Sequence, residues 1–150
     1  MVNRQKVLPL GPGRSEWVAV WQSRNTLYGP QKKLKSDVVL YKRLPGMQGK
    51  RVTITIDKGK GSRHWLRVKA AGKQWYWHRL VAWCFCNPRN LTWSTYHQEL
   101  QNGQYKWQAG HLSLQETDCT VKNLRVMTRQ QNLAMYRGSA KVKHGTVYKG

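Results

Sequence analysis

The chain has 150 residues, a hydrophobic fraction of 39% and a formal net charge of +21, from 27 Lys and Arg against 6 Asp and Glu. This length fits one domain with a modest core, and the lack of a long apolar run excludes a membrane-spanning helix. The charge predicts a polyanionic partner. Nucleic acid is favoured over an anionic membrane surface or an acidic protein, because the basic residues are spread along the whole chain.

The composition also bears on the core and on the compartment. Eight Trp and seven Tyr stand against one Phe, and such rings suit both a core and an interface. The cysteines Cys84, Cys86 and Cys119 predict buried thiols in a reducing compartment rather than disulfides or a zinc site. The N-terminus lacks the apolar segment of a secretion signal, so an intracellular protein is expected, with cytoplasm, nucleus and organelle left open.

The N-terminal third is predicted to hold little regular structure. Residues 1–15 are basic and rich in Pro and Gly, which predicts an extended basic arm. Residues 16–21 alternate in part, which indicates a short strand. Residues 22–50 are predicted to form a loop-rich basic region with one apolar run at 38–41.

The middle of the chain predicts an antiparallel β-meander. Apolar and polar residues alternate through residues 51–77, and the alternation is interrupted by turn sequences at 57–61 and 71–73. Residues 51–56 are β-branched, and residues 65–69 alternate again before the last strand returns. A sheet with one face toward the core is therefore expected here.

A helix is predicted after the meander. In residues 78–86 the apolar side chains recur at helical spacing, and Pro88 ends the pattern. Residues 88–104 are polar and contain a turn sequence at Asn102–Gly103. A loop is expected across this stretch.

A second hairpin and a second helix are predicted at the C-terminal end. Residues 105–108 form a short strand leading to His111, and residues 124–127 form its partner. Thr128 with Gln131 predicts a capping box that starts the helix.

The C-terminal helix is predicted to end near Arg137. Gly138 stands where a helix C-terminal glycine belongs. Residues 138–150 are then expected to be a basic and irregular tail.

The spacing around His111 suggests a catalytic site. Asn123 follows it by 12 residues, and Asn132, early in the predicted helix, follows it by 21. In a one-metal nuclease a histidine takes a proton from water, a divalent metal holds the scissile phosphate, and a polar neighbour orients the imidazole. A helix N-terminus adds a positive dipole where the phosphate lies.

Three segments resemble the HNH homing endonucleases of the His-Me finger superfamily, and together they span about residues 62–136. Residues 77–88 are similar to the family's V-H-R-L-V-A-x-x-F…N-P segment, and residues 65–73 to its G-Y-x-x-V-x-L…G-K hairpin. Residues 111–134 are similar to its N-H-x-D-G-N…N-N…N-L-x-W-x-T…N-N core. The combined match is specific, whereas any one part alone would be weak.

The resemblance implies an α+β fold. It consists of an N-terminal antiparallel β-meander, a helix and a ββα-metal (His-Me finger) unit at 105–137, with basic terminal arms at 1–15 and 138–150. The HNH-like domain would occupy residues 16–137.

The resemblance also implies roles for single residues. His111 would be the general base, and Asn123 would fix the loop and the imidazole. Asn132 would bind Mg²⁺ or another divalent metal, helped by Asp118 or Glu116. His78 would be structural or contact phosphate.

Two departures from the family pattern concern the metal. Gly110 stands where the family has its other ligand, and glycine has no side chain to offer. Ser113 and Leu114 replace an Asp-Gly pair, which removes a carboxylate. Magnesium retains several waters and needs few protein ligands, so Asn132 alone could suffice. A lost ligand also fits a nuclease that has become a binding protein.

Basic residues interleaved with aromatic ones are expected to contact phosphates and unpaired bases, although alternating strand faces would produce a similar pattern. The predicted nucleic-acid-binding residues are Arg63, Arg67, Lys73, His78, Arg79, Lys106, Arg125, Arg129, Arg137, Lys141 and Lys143.

Three functions remain open at this point. The first is an RNA- or DNA-binding protein on a degenerate HNH fold, working with other proteins of a ribonucleoprotein such as a ribosome. The second is an active metal-dependent DNA endonuclease. The third is a transcription-factor-like binder with no catalytic history. A carboxylate close to Asn132 would favour the second.

Overall fold

The computed structural model describes residues 4–29, 32–58, 64–100 and 104–143. It is a mixed α+β fold of mostly antiparallel strands with few helices. In chain order the described elements are β1 (Gln5–Leu8), β2 (Glu16–Tyr28), β3 (Leu34–Arg43), β4 (Lys50–Arg51), β5 (Ile54–Lys58), β6 (His64–Ala70), β7 (Lys73–Tyr76), α1 (Trp77–Phe85), α2 (Trp93–Tyr96), β8 (Trp107–His111), a 3₁₀ turn (Val121–Asn123), β9 (Leu124–Thr128) and α3 (Arg129–Lys143).

The described strands form three antiparallel sheets. The first has the order β1-β2-β3-β4, the second β5-β6-β7, and the third is the β8-β9 hairpin. The turn between β6 and β7 uses Ala71 and Gly72, both at positive φ, as a tight two-residue hairpin requires. This turn was predicted from the sequence.

Helix α1 lies at the centre and packs against strands of all three sheets. Of the apolar stripe that the helical spacing predicted, Leu80 and Val81 are buried, whereas Cys84 and Phe85 are half-buried. The buried ring of Trp77 begins the helix, and its Nε1 donates to Ser36 Oγ on β3 at 3.0 Å. The helix therefore fixes the hairpin of His111 relative to the other two sheets.

The N-terminal third is more regular than predicted. Residues 22–50 hold most of two long paired strands, β2 and β3, rather than a loop-rich region. A register shift between Trp21 and Thr26 and the buried hydroxyl of Ser36 break the alternation that would have revealed them.

The predicted basic arm at residues 1–15 also contains a strand. Within residues 1–15, the segment Gln5–Leu8 is β1, paired to β2, and Leu8 belongs to the core. The predicted strand at 51–56 is also divided, because β4 ends at Arg51 and pairs with β3, whereas β5 starts at Ile54 and pairs with β6.

Two corrections concern helices. The polar stretch 88–104 contains the short helix α2, whose N-terminus is capped by Thr92 Oγ1. Helix α3 continues through Gly138 to Lys143 instead of ending near Arg137. A glycine lowers helix stability by only about 1 kcal/mol, and the Ala and Lys residues that follow favour helix. The predicted turn at Asn102–Gly103 and residues 144–150 of the predicted tail lie outside the described residues.

Most of the tryptophans lie in the core, whereas Tyr96 is the one buried tyrosine among the described residues. Five of the eight tryptophans are buried, namely Trp17, Trp75, Trp77, Trp83 and Trp107. Cys86 and Cys119 are buried free thiols, and Cys84 is half-buried and also free. The prediction of buried thiols is confirmed for the first two.

Candidate functional site

His111 is the last residue of β8 and lies opposite Leu124 on β9. Its side chain is only 4% exposed. Burial lowers the pKa of the imidazole, and the carboxylates of Glu116 and Asp118 oppose that shift. The imidazole is therefore neutral at pH 7. Its Nε2 lies 3.8 Å from Cys119 Sγ.

His78, on the first turn of α1, lies beside His111 with the two ring centroids 5.0 Å apart. Its other ring neighbour is Tyr76, at 5.8 Å. Burial lowers the pKa of His78 from 6.5 to about 3, and the nearby His111 and Arg79 contribute in the same direction. Two neutral imidazoles thus lie side by side, and His78 has a packing role against the candidate base.

We expect the half-buried His78 to make the protein less stable in mild acid. The unfolded His78 takes up a proton near pH 6.5 and the folded one only near pH 3, so between these values the unfolded state binds more protons. The free energy of unfolding should fall as pH is lowered from about 7 to about 5, by up to about 1.4 kcal/mol per pH unit from this group. Urea unfolding at several pH values measures it. His78→Gln should make the profile less steep, with His111 still contributing in the same direction, and an unchanged slope in that variant would contradict the assignment.

Asn123 ties down the loop that follows β8. Its Oδ1 accepts a hydrogen bond from Ser113 N at 2.8 Å, and its Nδ2 donates to Asp118 O at 2.8 Å. The backbone adds a bond from Leu112 N to Asn123 O at 2.7 Å. Both ends of the loop are therefore held through this one buried residue, beside His111.

The start of α3 carries the predicted capping box. Thr128 Oγ1 accepts from Gln131 N at 3.1 Å, and Gln131 Oε1 accepts from Thr128 N at 2.9 Å. This reciprocal pair orients the first turn of α3, which carries Asn132.

In the side-chain amide of Asn132, the nitrogen has a hydrogen-bond partner and the oxygen has none. Its Nδ2 donates to Gln108 Oε1 at 2.9 Å, while its buried Oδ1 has no hydrogen-bond partner among the described residues. A buried amide oxygen without a partner is uncommon, and it is the atom that a metal would take. It faces the backbone of Gly110.

The space beside Gly110 is filled by Met127. A Cβ added to Gly110 would lie 2.6 Å from Met127 Sδ, 2.7 Å from its Cε and 3.1 Å from Asn132 Oδ1. A carboxylate or imidazole at this position would have to displace the buried thioether. Met127 was not among the residues predicted from the sequence; the signal that could have indicated it is a large apolar side chain near Gly110 on the partner strand.

The carboxylate of Asp118 is engaged elsewhere. Its Oδ1 accepts from Thr120 Oγ1 at 2.6 Å and from Thr120 N at 3.1 Å, and its Oδ2 lies 3.7 Å from Lys35 Nζ. These contacts attach the loop to β3, with backbone bonds between Lys35 and residues 117 and 119. Across the described ranges, no group of three or more His, Cys, Asp or Glu is arranged to hold a metal. The carboxylate of Asp118 is thus bound within the protein, to Thr120 and Lys35.

The predicted nucleic-acid-binding residues divide by exposure. Five are exposed, namely Lys73, Lys106, Arg125, Arg129 and Arg137. Arg63 lies outside the described residues, and Lys141 and Lys143 lie on α3 with side chains that are not described.

Two of the predicted contacts are engaged within the protein. Arg79 is 8% exposed, and its guanidinium donates to the carbonyls of Trp107 and Tyr96. Arg67 is bound to Asp57 at 3.1 Å and lies over the Tyr76 ring at 4.5 Å. Arg79 therefore acts as a structural cation, and Arg67 is available to phosphate only in part.

Comparison of the chain with protein-family models, with curated proteins and with solved structures found no significant match. Among the helices of the described residues, none is long and apolar enough to cross a membrane.

Proposed function

We propose that this chain is a nucleic-acid-binding protein on a degenerate HNH-type ββα unit, and that it is a non-catalytic structural component of a nucleoprotein such as a ribosome. The net charge of +21 supports binding to a polyanion. The β8-β9 hairpin followed by α3 supports the kinship with the ββα unit, because His111 and Asn123 lie at one end of the hairpin and α3, which begins at its other end, places Asn132 beside Gln108 and Gly110.

One observation carries the non-catalytic part of the proposal. The place that a ligand side chain at position 110 would take is occupied by the Met127 thioether, which such a side chain would have to push aside. A thioether is a soft group, and Mg²⁺ prefers oxygen ligands. Asp118, one of the two candidate replacements together with Glu116, is held by Thr120 and Lys35. In this proposal the ββα unit keeps its fold but lacks the second metal ligand.

A metal-dependent DNA endonuclease is the second candidate. The observation that favours it is the unpartnered buried Oδ1 of Asn132. The neutral imidazole of His111 would be competent to accept a proton. In this alternative Asn132 would hold a divalent metal with water in the other positions.

The two candidates separate in a combined binding and cleavage assay. Purified protein is incubated with supercoiled plasmid or structured RNA in Mg²⁺, Mn²⁺ or EDTA. We expect tight binding that weakens steeply with salt, equal binding in metal and EDTA, and no metal-dependent cleavage. His111→Gln should leave affinity within about twofold, because a buried histidine contributes little to a phosphate field.

Metal-dependent nicking that His111→Gln abolishes would establish the endonuclease instead. His97→Gln is the matched control, since His97 is a half-buried histidine in the aromatic cluster with Trp93 and Tyr105, away from the loop of Asn123. Nicking retained in both variants would indicate a contaminating nuclease. Absence of any binding at moderate salt would overturn the proposal.

A further inference from the structure

A groove runs between the end of α1 and the β8-β9 hairpin with α3. It consists of two adjoining cavities, of about 490 and about 380 Å³, that share Pro88, Leu112 and Arg125. We call it the basic groove and define it by its six principal lining residues, Pro88, Arg89, Leu112, Lys122, Arg125 and Met135. It begins next to His111, whose neighbour Leu112 forms part of its wall.

The charge of the basic groove has a single sign. Arg89, Lys122 and Arg125 are all exposed, and the lining of the two cavities contains no carboxylate. Within the described part of the chain, none of the three cations belongs to an ion pair. Two other described cavities each contain an acid, Glu99 in one and Asp37 in the other, and Lys122 also lines the cavity of Asp37. The basic groove is therefore suited to a polyanion.

The surface between these cations is apolar. Leu112 is 43% exposed, and Pro88 and Met135 line the groove beside it. Phe85 lies at one end, with its ring 5.8 Å from Trp21. A duplex presents phosphates and keeps its base faces stacked, so this apolar surface would stay unused. An unpaired strand presents both phosphates and base faces.

We infer that the basic groove binds a single-stranded segment of nucleic acid, with phosphates on Arg89, Lys122 and Arg125 and base or sugar faces on Leu112 and Phe85. This inference rests on the proposed nucleic-acid function and names its substrate class. None of Arg89, Lys122, Leu112 and Phe85 was among the predicted contact residues. A single strand is inferred as the occupant because the groove places cations around an apolar surface.

A pair of leucines tests the apolar contact. Leu112 lines the groove, whereas Leu133 on α3 does not and is similarly exposed, at 40%. Affinity for a short single-stranded oligonucleotide and for a hairpin duplex is measured by fluorescence anisotropy. Leu112→Asn should weaken single-strand binding about fivefold and leave duplex binding unchanged, because apolar contact is lost only with the strand in the groove. Leu133→Asn should change neither.

A pair of triple variants tests the phosphate contacts. The groove triple is Arg89→Gln, Lys122→Gln and Arg125→Gln. The control triple is Arg14→Gln, Lys50→Gln and Arg51→Gln, which removes the same charges from exposed positions outside the groove. For a single strand, the slope of log affinity against log salt should fall in magnitude by roughly 2 in the groove triple, from three contacts at about 0.7 each. The control triple should keep the wild-type slope.

Each result has a definite meaning. Selective loss in the two groove variants supports the inference. Equal losses of affinity in the groove and control variants overturn the inference and indicate binding by a diffuse charge field. If Leu112→Asn weakens duplex binding as much as single-strand binding, the inference also fails and the groove contacts duplex. Unchanged affinity in the groove variants also overturns the inference, and a protein would then be the candidate occupant of the groove. If the wild type binds no nucleic acid, the proposed function itself fails.

Discussion

Arg79→Ala is expected to destabilise the protein by about 3–4 kcal/mol, as two charge-assisted hydrogen bonds and two ring contacts are lost together. The guanidinium joins α1 to the carbonyls of Trp107 at 3.0 Å and Tyr96 at 3.3 Å. It also lies between the rings of Tyr96 and Tyr105, at 4.5 and 4.0 Å. Its removal leaves buried carbonyls without a donor. Urea unfolding measures the loss as a lower midpoint.

Two further variants make the Arg79 prediction specific. Arg89→Ala is the control, since Arg89 is exposed and lies over the Trp107 ring at 5.0 Å. It should cost under about 1 kcal/mol. Arg79→Lys should recover less than half of the loss, because one ammonium cannot reproduce the planar fork. Equal losses for Arg79→Ala and Arg89→Ala would show that the guanidinium does not join these elements.

Asn123→Ala should cost about 2–3 kcal/mol, since the buried Asn123 side chain loses both hydrogen bonds and the part-buried Ser113 N and Asp118 O lose their partner. Thermal and urea unfolding measure the loss. Asn25→Ala, at an exposed position, is the control and should be close to neutral. The loop beside His111 should also become the first part of the protein to exchange its amide hydrogens.

Asn123→Asp provides a sharper test of the same contacts. Ser113 N can still donate to the new carboxylate, but the other oxygen would face Asp118 O and repel it. Burial and this repulsion raise the pKa of the introduced carboxyl, so protonation favours the folded state. The stability difference from wild type should therefore narrow as pH falls from about 7 to about 5. A difference independent of pH would mean that the side chain does not make these bonds.

Local signals account for the features that the sequence predicted correctly. The helix at 78–86 became α1, because its apolar spacing is a property of one segment. The turn at 71–73, the strand at 124–127 and the capping box of Thr128 with Gln131 likewise depend on residues close together in the chain. The roles of His111, Asn123 and Asn132 stay predictions until cleavage is measured.

Non-local contacts account for the features that the sequence did not predict. The long pairing of β2 with β3 was hidden, since a bulge and the buried Ser36 disturb the alternation. The engagement of Asp118 depends on Lys35, which lies far away in the chain. Nothing in the sequence next to Asp118 or Lys35 indicates that the two side chains meet.

The sequence by itself determined that the chain is strongly basic, that it forms a mixed α and β domain, and that His111 lies at the end of a hairpin followed by a helix. Composition and short-range spacing are sufficient for these features. Only the tertiary structure decided that Met127 fills the space beside Gly110, that Arg79 is buried, and that Arg89, Lys122 and Arg125 line one groove. These outcomes depend on which side chains meet after the sheets pack around α1, and that meeting is set by volume and burial across distant parts of the chain.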